Sequence, residues 1–362
     1  MTKQVSLRDF DWVLLGSVLL ISALGVLQIY SSTAHTKFAG AHWKQICWVL
    51  LGLGLLFLVS WVDYHDLLNH VPWMYLLTLA LLVTVLVAGA EIAGTRRWFR
   101  VGGISFQVSE VAKLIVILLL ARFLAGPLQQ EVSFLDLVKV AVAVGIPAAL
   151  IALQPDLGTA LTLAPIALVA LFVAGMRWRY FALMLLACLI VLPIGYQFLK
   201  PYQKARLATF LEPESDPQRS GYQILQSKIA VGSGQLWGKG TAQGTQTQLR
   251  FLPVPHTDFI FAAYAEEHGF IGVLFVLVLY FILLMRLVQN AQTASDAAGI
   301  SVVVGIVGLL LFQILINVGM VVGYVPVTGI PLPLMSYGGS AMVFTFGAMG
   351  LANSVRLRRF VN

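Results

Sequence analysis

The chain has 362 residues, of which 59% are hydrophobic and only 11% are charged. A soluble globular domain has about 25% charged residues, so this composition excludes an ordinary soluble protein and predicts a chain that crosses a membrane several times. The formal net charge of +7 is scattered over many loops, which excludes the concentrated basic face of a nucleic-acid-binding protein and fits a protein that handles anionic lipid or phosphate.

Apolar runs of membrane-spanning length recur along the whole chain. They predict ten transmembrane helices, at about 11–30, 45–61, 73–90, 110–125, 137–153, 158–175, 181–199, 267–288, 299–323 and 338–355. An even number of spans places both termini on one side, and the basic clusters MRWRY and RLRR identify that side as the cytoplasm. We therefore expect an all-α polytopic membrane protein that forms a single domain over residues 1–362.

A long polar loop, at about 200–260, separates the seventh predicted span from the eighth on the outer side. Within this loop Tyr222, Leu225 and Ile229 recur at helical spacing. This spacing predicts an amphipathic helix near 221–231 that lies on the membrane surface.

Two basic segments are candidates for binding phosphate. In TRRWFRV, Arg96 and Arg97 would grip a diphosphate because guanidinium groups match phosphate oxygens bidentately. The alternative is an interfacial anchor of basic and aromatic residues. In GSGQLWGKGTAQG, backbone N–H groups and Lys239 would cradle a phosphate, although such glycine-rich stretches are more often simply flexible.

Polar residues also occur at the ends of the apolar runs. Glu110 and Lys113 are three residues apart on one helix face, which predicts an ion pair with either a structural or a functional role. Asp156, in QPDLGT, is either the cap of the next helix or part of a polar site. Ser336 belongs to VTGIPLPLMSYGGS, whose prolines and glycines predict irregular backbone, which is tolerated at membrane depth only against protein or water.

Asp258 stands where the polar loop gives way to the eighth predicted span. A carboxylate at this boundary is costly to bury, which makes it a functional candidate. The alternative is that it complements the dipole of a helix that begins at Asp258 with Thr257 as its N-cap. In the predicted topology the candidates share the outer side and predict one outward-facing polar cavity. They are Arg97, Glu110, Asp156, Asp258 and Ser336.

These motifs resemble those of the SEDS family (shape, elongation, division and sporulation) over nearly the whole chain. They include TRRW, FQVSEVAK, QPDLGT, LEPESDP, GYQILQSKIAVGSG, GTQTQLRFLPVPHTDFIFAAYAEE and PLPLMSYGGS. The motif GTQTQLRFLPVPHTDFIF is most similar to the family's elongation branch. The resemblance implies a ten-helix bundle with a large extracytoplasmic loop between helices seven and eight. It also implies a peptidoglycan glycosyltransferase of the cytoplasmic membrane that polymerises lipid II, with a class B penicillin-binding protein and other elongation-complex membrane proteins as partners.

The resemblance places the family's essential carboxylate at Asp258 and its other recurrent polar positions at Arg97, Glu110, Lys113 and Asp156. The implied reaction inverts the donor anomeric carbon while undecaprenyl pyrophosphate leaves, so Asp258 would act as the base and cationic groups would steady the pyrophosphate. Asp258 as the ligand of a divalent cation, Mg or Mn, is the open variant.

The alternative function is a lipid II flippase, since transporters also carry charges inside the membrane. The crowding of the candidate residues on one face, and the lack of a visible inverted repeat, disfavour this alternative.

Overall fold

The computed structural model describes residues 7–34, 36–92, 95–101, 104–125, 132–198, 201–212 and 220–359. Over these ranges the chain is mostly helical, with a short 3-10 turn at Leu7–Asp9 before the first long helix. The α-helices are α1 (Trp12–Thr33), α2 (Ala41–Trp61), α3 (Tyr64–Ala88), α4 (Val108–Leu124), α5 (Phe134–Leu153), α6 (Leu157–Leu161), α7 (Leu163–Val173), α8 (Trp178–Phe198), α9 (Pro201–Leu211), α10 (Ser220–Ser233), α11 (Thr245–Gln248), α12 (Ile260–Gln292), α13 (Ala297–Val322) and α14 (Gly339–Leu357).

Six helices of the described ranges are long and apolar enough to cross a membrane, namely α1, α2, α3, α5, α12 and α13. The other predicted spans coincide with α4, with the consecutive helices α6 and α7, with α8 and with α14. The protein is therefore a multi-pass membrane protein, and the total of ten spans stays a prediction.

Small residues set the closest helix contacts, as expected where lipid removes the hydrophobic drive for helices to associate. Helix α14 lies along α2, and a Cβ on Gly350 would stand 2.6 Å from the carbonyl oxygen of Leu56. On α13, Gly305 faces Ile117 of α4, and Gly308 faces Val169 of α7. Helix α13 thereby joins the two halves of the bundle.

The two ends of the described chain meet at one face of the bundle. The carboxylate of Asp11 accepts hydrogen bonds from Arg286 (2.8 Å) and Asn290 (2.9 Å) of α12 and forms a 3.4 Å ion pair with Arg356 of α14. Helix α13 starts at Ala297, soon after α12 ends at Gln292, and its 26 residues span about 39 Å, so its far end at Val322 lies at the opposite face. This arrangement agrees with an even number of spans.

A small antiparallel sheet corrects the all-α prediction. Its strands β1 (Ala90–Ile92), β2 (Thr95–Val101) and β3 (Ile104–Gln107) pair in the order β1-β2-β3, between α3 and α4. The segments TRRWFRV and ISFQ are rich in β-branched and aromatic residues, which favour strands. These segments are short and polar and contain no apolar run of spanning length, so the hydropathy pattern does not predict the strands.

The predicted loop at 200–260 contains three helices among its described residues, α9, α10 and α11. Helix α10 buries Ile224, Ser227 and Ala230, and the hydroxyl of Ser227 donates to the carbonyl of Val321 on α13 at 2.9 Å. Leu225 and Ile229 are instead exposed, because they lie on the face turned away from α12 and α13. Contact of that exposed apolar face with the membrane surface stays a prediction.

Candidate functional site

The helix after Asp258 begins later than the sequence predicts. Helix α12 starts at Ile260, its N-cap is Phe259, and no side chain caps it. The hydroxyl of Thr257 donates instead to the carbonyl of Val254 at 3.5 Å. The prediction of a helix that begins at Asp258 with Thr257 as N-cap is therefore wrong, because contacts with another segment hold this backbone in turns.

Those contacts fix three successive carbonyls of the segment 256–258. The carbonyl of His256 accepts from the backbone N–H of Tyr337 at 2.9 Å. The carbonyl of Thr257 accepts from the hydroxyl of Ser336 at 2.8 Å, and that of Asp258 accepts from the side-chain amide of Asn317 at 3.1 Å. Every peptide carbonyl around Asp258 is thus anchored to α13 or to the irregular segment before α14. The position of the carboxylate is set by long-range packing.

Ser336 and Asn317 serve as anchors in this arrangement. The hydroxyl of Ser336 uses its one hydrogen on Thr257 and accepts from the backbone N–H of Leu332 at 2.9 Å, so it holds the loop and has no hydrogen left for a substrate. Asn317 is fully buried, and its amide also donates to the carbonyl of Ile330 at 2.8 Å. The sequence analysis missed Asn317, although an asparagine inside the apolar run VGLLLFQILINVGM is itself a signal of function.

The carboxylate of Asp258 lies against a glycine and among charged side chains. Its Oδ2 is 3.5 Å from the place that a Cβ of Gly329 would occupy, and Gly329 has the positive φ of +74° that favours glycine. Burial raises the pKa of the Asp258 carboxyl above its ordinary value, and the negative charge of Asp156 acts in the same direction. The positive charges of Arg206 and Arg97 oppose this rise.

Arg97 and Asp156 form an ion pair beside Asp258. The guanidinium NH1 of Arg97 is 3.3 Å from Oδ2 of Asp156, and its Nε donates to the hydroxyl of Thr95 at 3.0 Å. Oδ1 of Asp156 accepts from the backbone N–H of Thr159 at 3.1 Å and so caps α6. The interpretation of Asp156 as a helix cap is therefore confirmed, while its other oxygen pairs with Arg97; a role for Asp156 in a polar site stays a prediction.

The strand β2 separates two arginines that the sequence groups together. Successive side chains of a strand point to opposite faces. Arg97 shares its face with Thr95, whereas Arg96 points the other way and lies opposite Glu91 in the β1–β2 ladder, with a 3.8 Å ion pair. The side chain of Arg96 is 55% exposed and lies on the face of β2 opposite to Arg97.

The predicted pair of Glu110 and Lys113 is present as a buried ion pair of 2.8 Å. Both side chains line a cavity between α4, α13 and α14, together with Gln313. Gln107, which precedes α4, does not line this cavity; its Nε2 donates to Oδ2 of Asp156 at 3.1 Å.

Lys239 belongs to a different cluster. Its ammonium group donates to the hydroxyls of Ser233 (2.8 Å) and Thr245 (2.7 Å) and to Oε1 of the buried Glu266 (2.8 Å). The backbone N–H groups of Lys239 and Gly240 donate to carbonyls of α12 just before its kink at Gly269. The glycine-rich stretch thus packs on the broken helix, and the phosphate interpretation of Lys239 finds no support in these contacts.

Comparison with known proteins adds a family to this geometry. A model of the cell cycle proteins FtsW, RodA and SpoVE matches residues 10–359. The peptidoglycan glycosyltransferase MrdB of Escherichia coli K12 is 38% identical over 368 residues, which cover 99% of this chain and 98% of MrdB.

Solved structures agree with this result. A chain from a peptidoglycan synthase complex, described as coordinating polymerization and crosslinking, superposes with a TM-score of 0.84 at 34% identity and covers 98% of this chain and 99% of its own length. The rod shape determining protein RodA of Thermus thermophilus superposes with a TM-score of 0.73 at 31% identity, covering 98% of each chain.

Proposed function

The chain belongs to the SEDS family of FtsW, RodA and SpoVE cell cycle proteins, and from this premise we propose that it is a peptidoglycan glycosyltransferase that polymerises lipid II during cell elongation. The single observation that carries the proposal is the anchoring of Asp258. Three donors fix the backbone carbonyls of residues 256–258, and this backbone carries a carboxylate with a raised pKa next to the Arg97–Asp156 pair. A base held in this way is pre-organised for catalysis.

Asp258 would act as the general base. The carboxylate takes the proton from the 4-hydroxyl of the acceptor sugar while that oxygen bonds to the anomeric carbon of the donor and the bond from this carbon to the lipid diphosphate breaks. This single displacement inverts the anomeric carbon. The raised pKa suits the role because a general base works best when its pKa approaches the working pH.

Cationic side chains would balance the charge that develops on the departing diphosphate. Among the predicted phosphate-binding residues, Arg97 is one whose charge acts on Asp258, and Asp156 and Thr95 orient it. Glu110 and Lys113 would line the substrate cavity further inside the bundle. A divalent cation, Mg or Mn, would add positive charge, since Mg²⁺ commonly takes one or two carboxylates together with phosphate oxygens. Asp258 is the carboxylate that would face it.

The membrane arrangement follows from the same premise. The chain would form one domain of ten spans with a large extracytoplasmic loop between helices seven and eight. Both termini would lie in the cytoplasm and Asp258 at the outer face of the cytoplasmic membrane. The meeting of Asp11 with Arg286 and Arg356, at the end of α12 remote from Asp258, supports this placement.

A class B penicillin-binding protein would be the partner, and other membrane proteins of the elongation machinery would join the complex. The similar chain from a peptidoglycan synthase complex supports this part of the proposal. Helix α12 offers a surface for a partner helix, a stripe of exposed apolar side chains at the spacing of a helix–helix seam. Its members are Leu274, Val278, Phe281 and Met285.

The test is polymerisation of lipid II by the purified chain in detergent micelles. A detergent micelle does not separate two compartments, so a flippase has nothing to transport lipid across. Glycan strands that form in micelles therefore identify a polymerase. Failure to polymerise in the presence of the transpeptidase partner, together with lipid II flipping in sealed vesicles, would identify the transporter alternative.

A further inference from the structure

Arg206 is a basic side chain beside Asp258 to which the reaction described above assigns no role. It projects from α9 and is exposed. Its only hydrogen bond among the described residues runs from the guanidinium NH1 to the carbonyl of Val327, at 3.3 Å. This acceptor is neutral and the bond is long, so most of the donor capacity of the guanidinium is unused.

One short segment connects Arg206 to the site. The residues 327–330 contact four different elements in turn. Val327 accepts from Arg206, and the carbonyl of Thr328 lies 2.6 Å from the place of a Cβ on Gly158, two residues after Asp156. A Cβ on Gly329 would stand 3.5 Å from Oδ2 of Asp258, and the carbonyl of Ile330 accepts from the amide of Asn317. Arg206 and Asp258 therefore both adjoin this segment, at positions two residues apart.

The two arginines near Asp258 differ in what neutralises them. Arg97 comes from β2 and is paired with Asp156 at 3.3 Å, whereas Arg206 comes from α9 and contacts a neutral carbonyl. Helix α9 also exposes Leu207 and Leu211, four residues apart and therefore on one helix face. A guanidinium on a helix that also exposes an apolar stripe matches a diphosphate that is attached to a hydrocarbon chain.

The proposed reaction brings two such diphosphates to one carboxylate. One leaves the donor, and the other stays on the acceptor. We infer that Arg206 binds one of these two lipid-linked diphosphates and that Arg97 binds the other, so that Asp258 lies between two diphosphate subsites. This inference rests on the proposed function, since only the transfer between two lipid-linked sugars requires both subsites.

Binding of undecaprenyl pyrophosphate tests the inference without turnover. The full-length chain in detergent micelles is titrated with this lipid, and native mass spectrometry counts the molecules bound. We expect two in the parent chain and one in Arg206→Gln, with an affinity at the lost site that is lower by about tenfold to a hundredfold, as is typical for removal of a charge-assisted hydrogen bond. Lys204→Gln removes a charge from the same helix, where Lys204 donates to the carbonyl of Gln197, and should bind like the parent.

Kinetics with lipid II distinguishes the two sources of the diphosphate. A higher KM for lipid II in Arg206→Gln at nearly unchanged kcat assigns Arg206 to the acceptor, and a lower kcat assigns it to the departing group. Both results support the inference. Stoichiometry, affinity, KM and kcat that all equal those of Lys204→Gln would overturn it while leaving the polymerase intact. A chain that binds two diphosphates in an Arg206-dependent way but never polymerises would overturn the proposed function instead.

Discussion

Asn317 and Asp258 are joined by a hydrogen bond of 3.1 Å, from the side-chain amide on α13 to the backbone carbonyl that lies two residues before α12. The same amide donates to Ile330 at 2.8 Å, so one buried side chain ties the catalytic loop to the segment that carries Gly329. Asn317 is therefore a positioning residue, and it acts on the reaction only through Asp258.

Asn317→Leu keeps the number of side-chain heavy atoms and the branch at Cγ, and removes both hydrogen bonds. We expect a loss of polymerisation rate on the order of a hundredfold, because a displacement of about 1 Å at a catalytic group has an effect of that size. The KM for lipid II should change little. The free energy of unfolding should fall by about 1–3 kcal/mol, since two buried carbonyls lose their donor.

Asn290→Leu is the matched control. Asn290 is also fully buried and donates to Asp11 at 2.9 Å, but it lies at the opposite end of α12. It should lose comparable stability and keep its specific activity. Equal losses of specific activity in both variants would reduce Asn317 to a purely structural residue.

The ion pair of Glu110 and Lys113 should respond to single and double substitution in different ways. Either single change, Glu110→Gln or Lys113→Met, leaves the other charge buried without its partner at a cost of about 3–5 kcal/mol. The double variant should unfold at a higher temperature than the worse single variant and should still be inactive. Thermal unfolding in detergent measures the first effect, and lipid II polymerisation measures the second. Two stable and active single variants would contradict both parts.

The raised pKa of Asp258 predicts the acid limb of the pH–rate profile. A base acts in its ionised form, so activity should fall as the pH is lowered through the raised pKa of this carboxyl. Arg97→Gln removes a positive charge that lowers this pKa and also leaves the charge of Asp156 unpaired. Both effects raise the pKa of Asp258, so the acid limb should move to higher pH whatever the residual rate.

Arg96→Gln provides the control on the same strand. It removes an identical charge from the opposite face of β2, and its acid limb should coincide with that of the parent. An equal shift in both variants would mean that total charge, and not the contact of Arg97 with the site, sets the profile.

The apolar stripe on α12 should be required for the complex with the transpeptidase. Leu274→Ala together with Phe281→Ala removes two side chains that are 51% and 63% exposed, and should reduce co-purification of the partner. The control pair on α3, Leu76→Ala with Leu77→Ala, removes side chains of similar exposure and should leave co-purification unchanged. A partner that cross-links only to the cytoplasmic loops would contradict this surface.

The sequence alone identifies the positions that depend on local chemistry. Asp258 at the loop boundary and the spacing of Glu110 and Lys113 are visible in the printed residues, and the latter pair is confirmed as an ion pair. The hydropathy pattern does not predict the strand β2. The sequence therefore suggests Arg96 and Arg97 as one phosphate-binding group, although the two side chains point to opposite faces of the strand.

Contacts between residues that are distant in the chain could not be predicted from the sequence either. The sequence predicts Lys239 as a phosphate ligand, whereas in the structure its ammonium group pairs with Glu266, which lies just before the kink of α12. Asn317 becomes an anchor only because α13 packs behind the loop of Asp258, 59 residues away in sequence. Such contacts depend on tertiary packing, which residue spacing does not encode.

Asp258→Asn removes the basic oxygen of the carboxylate and therefore shows whether Asp258 is the catalytic base. Folding raises the pKa of the Asp258 carboxyl in the parent, so at neutral pH the ionised carboxylate lowers the free energy of unfolding. The Asp258→Asn variant should therefore be at least as stable as the parent. Lowering the pH through the raised pKa should remove this difference in stability.

The decisive measurement is the rate at which purified Asp258→Asn polymerises lipid II in detergent, with thermal unfolding recorded on the same preparation. We expect a folded protein of undiminished stability that forms no glycan strands. An Asp258→Asn protein that polymerises at a rate close to that of the parent would contradict the assignment of Asp258 as the base.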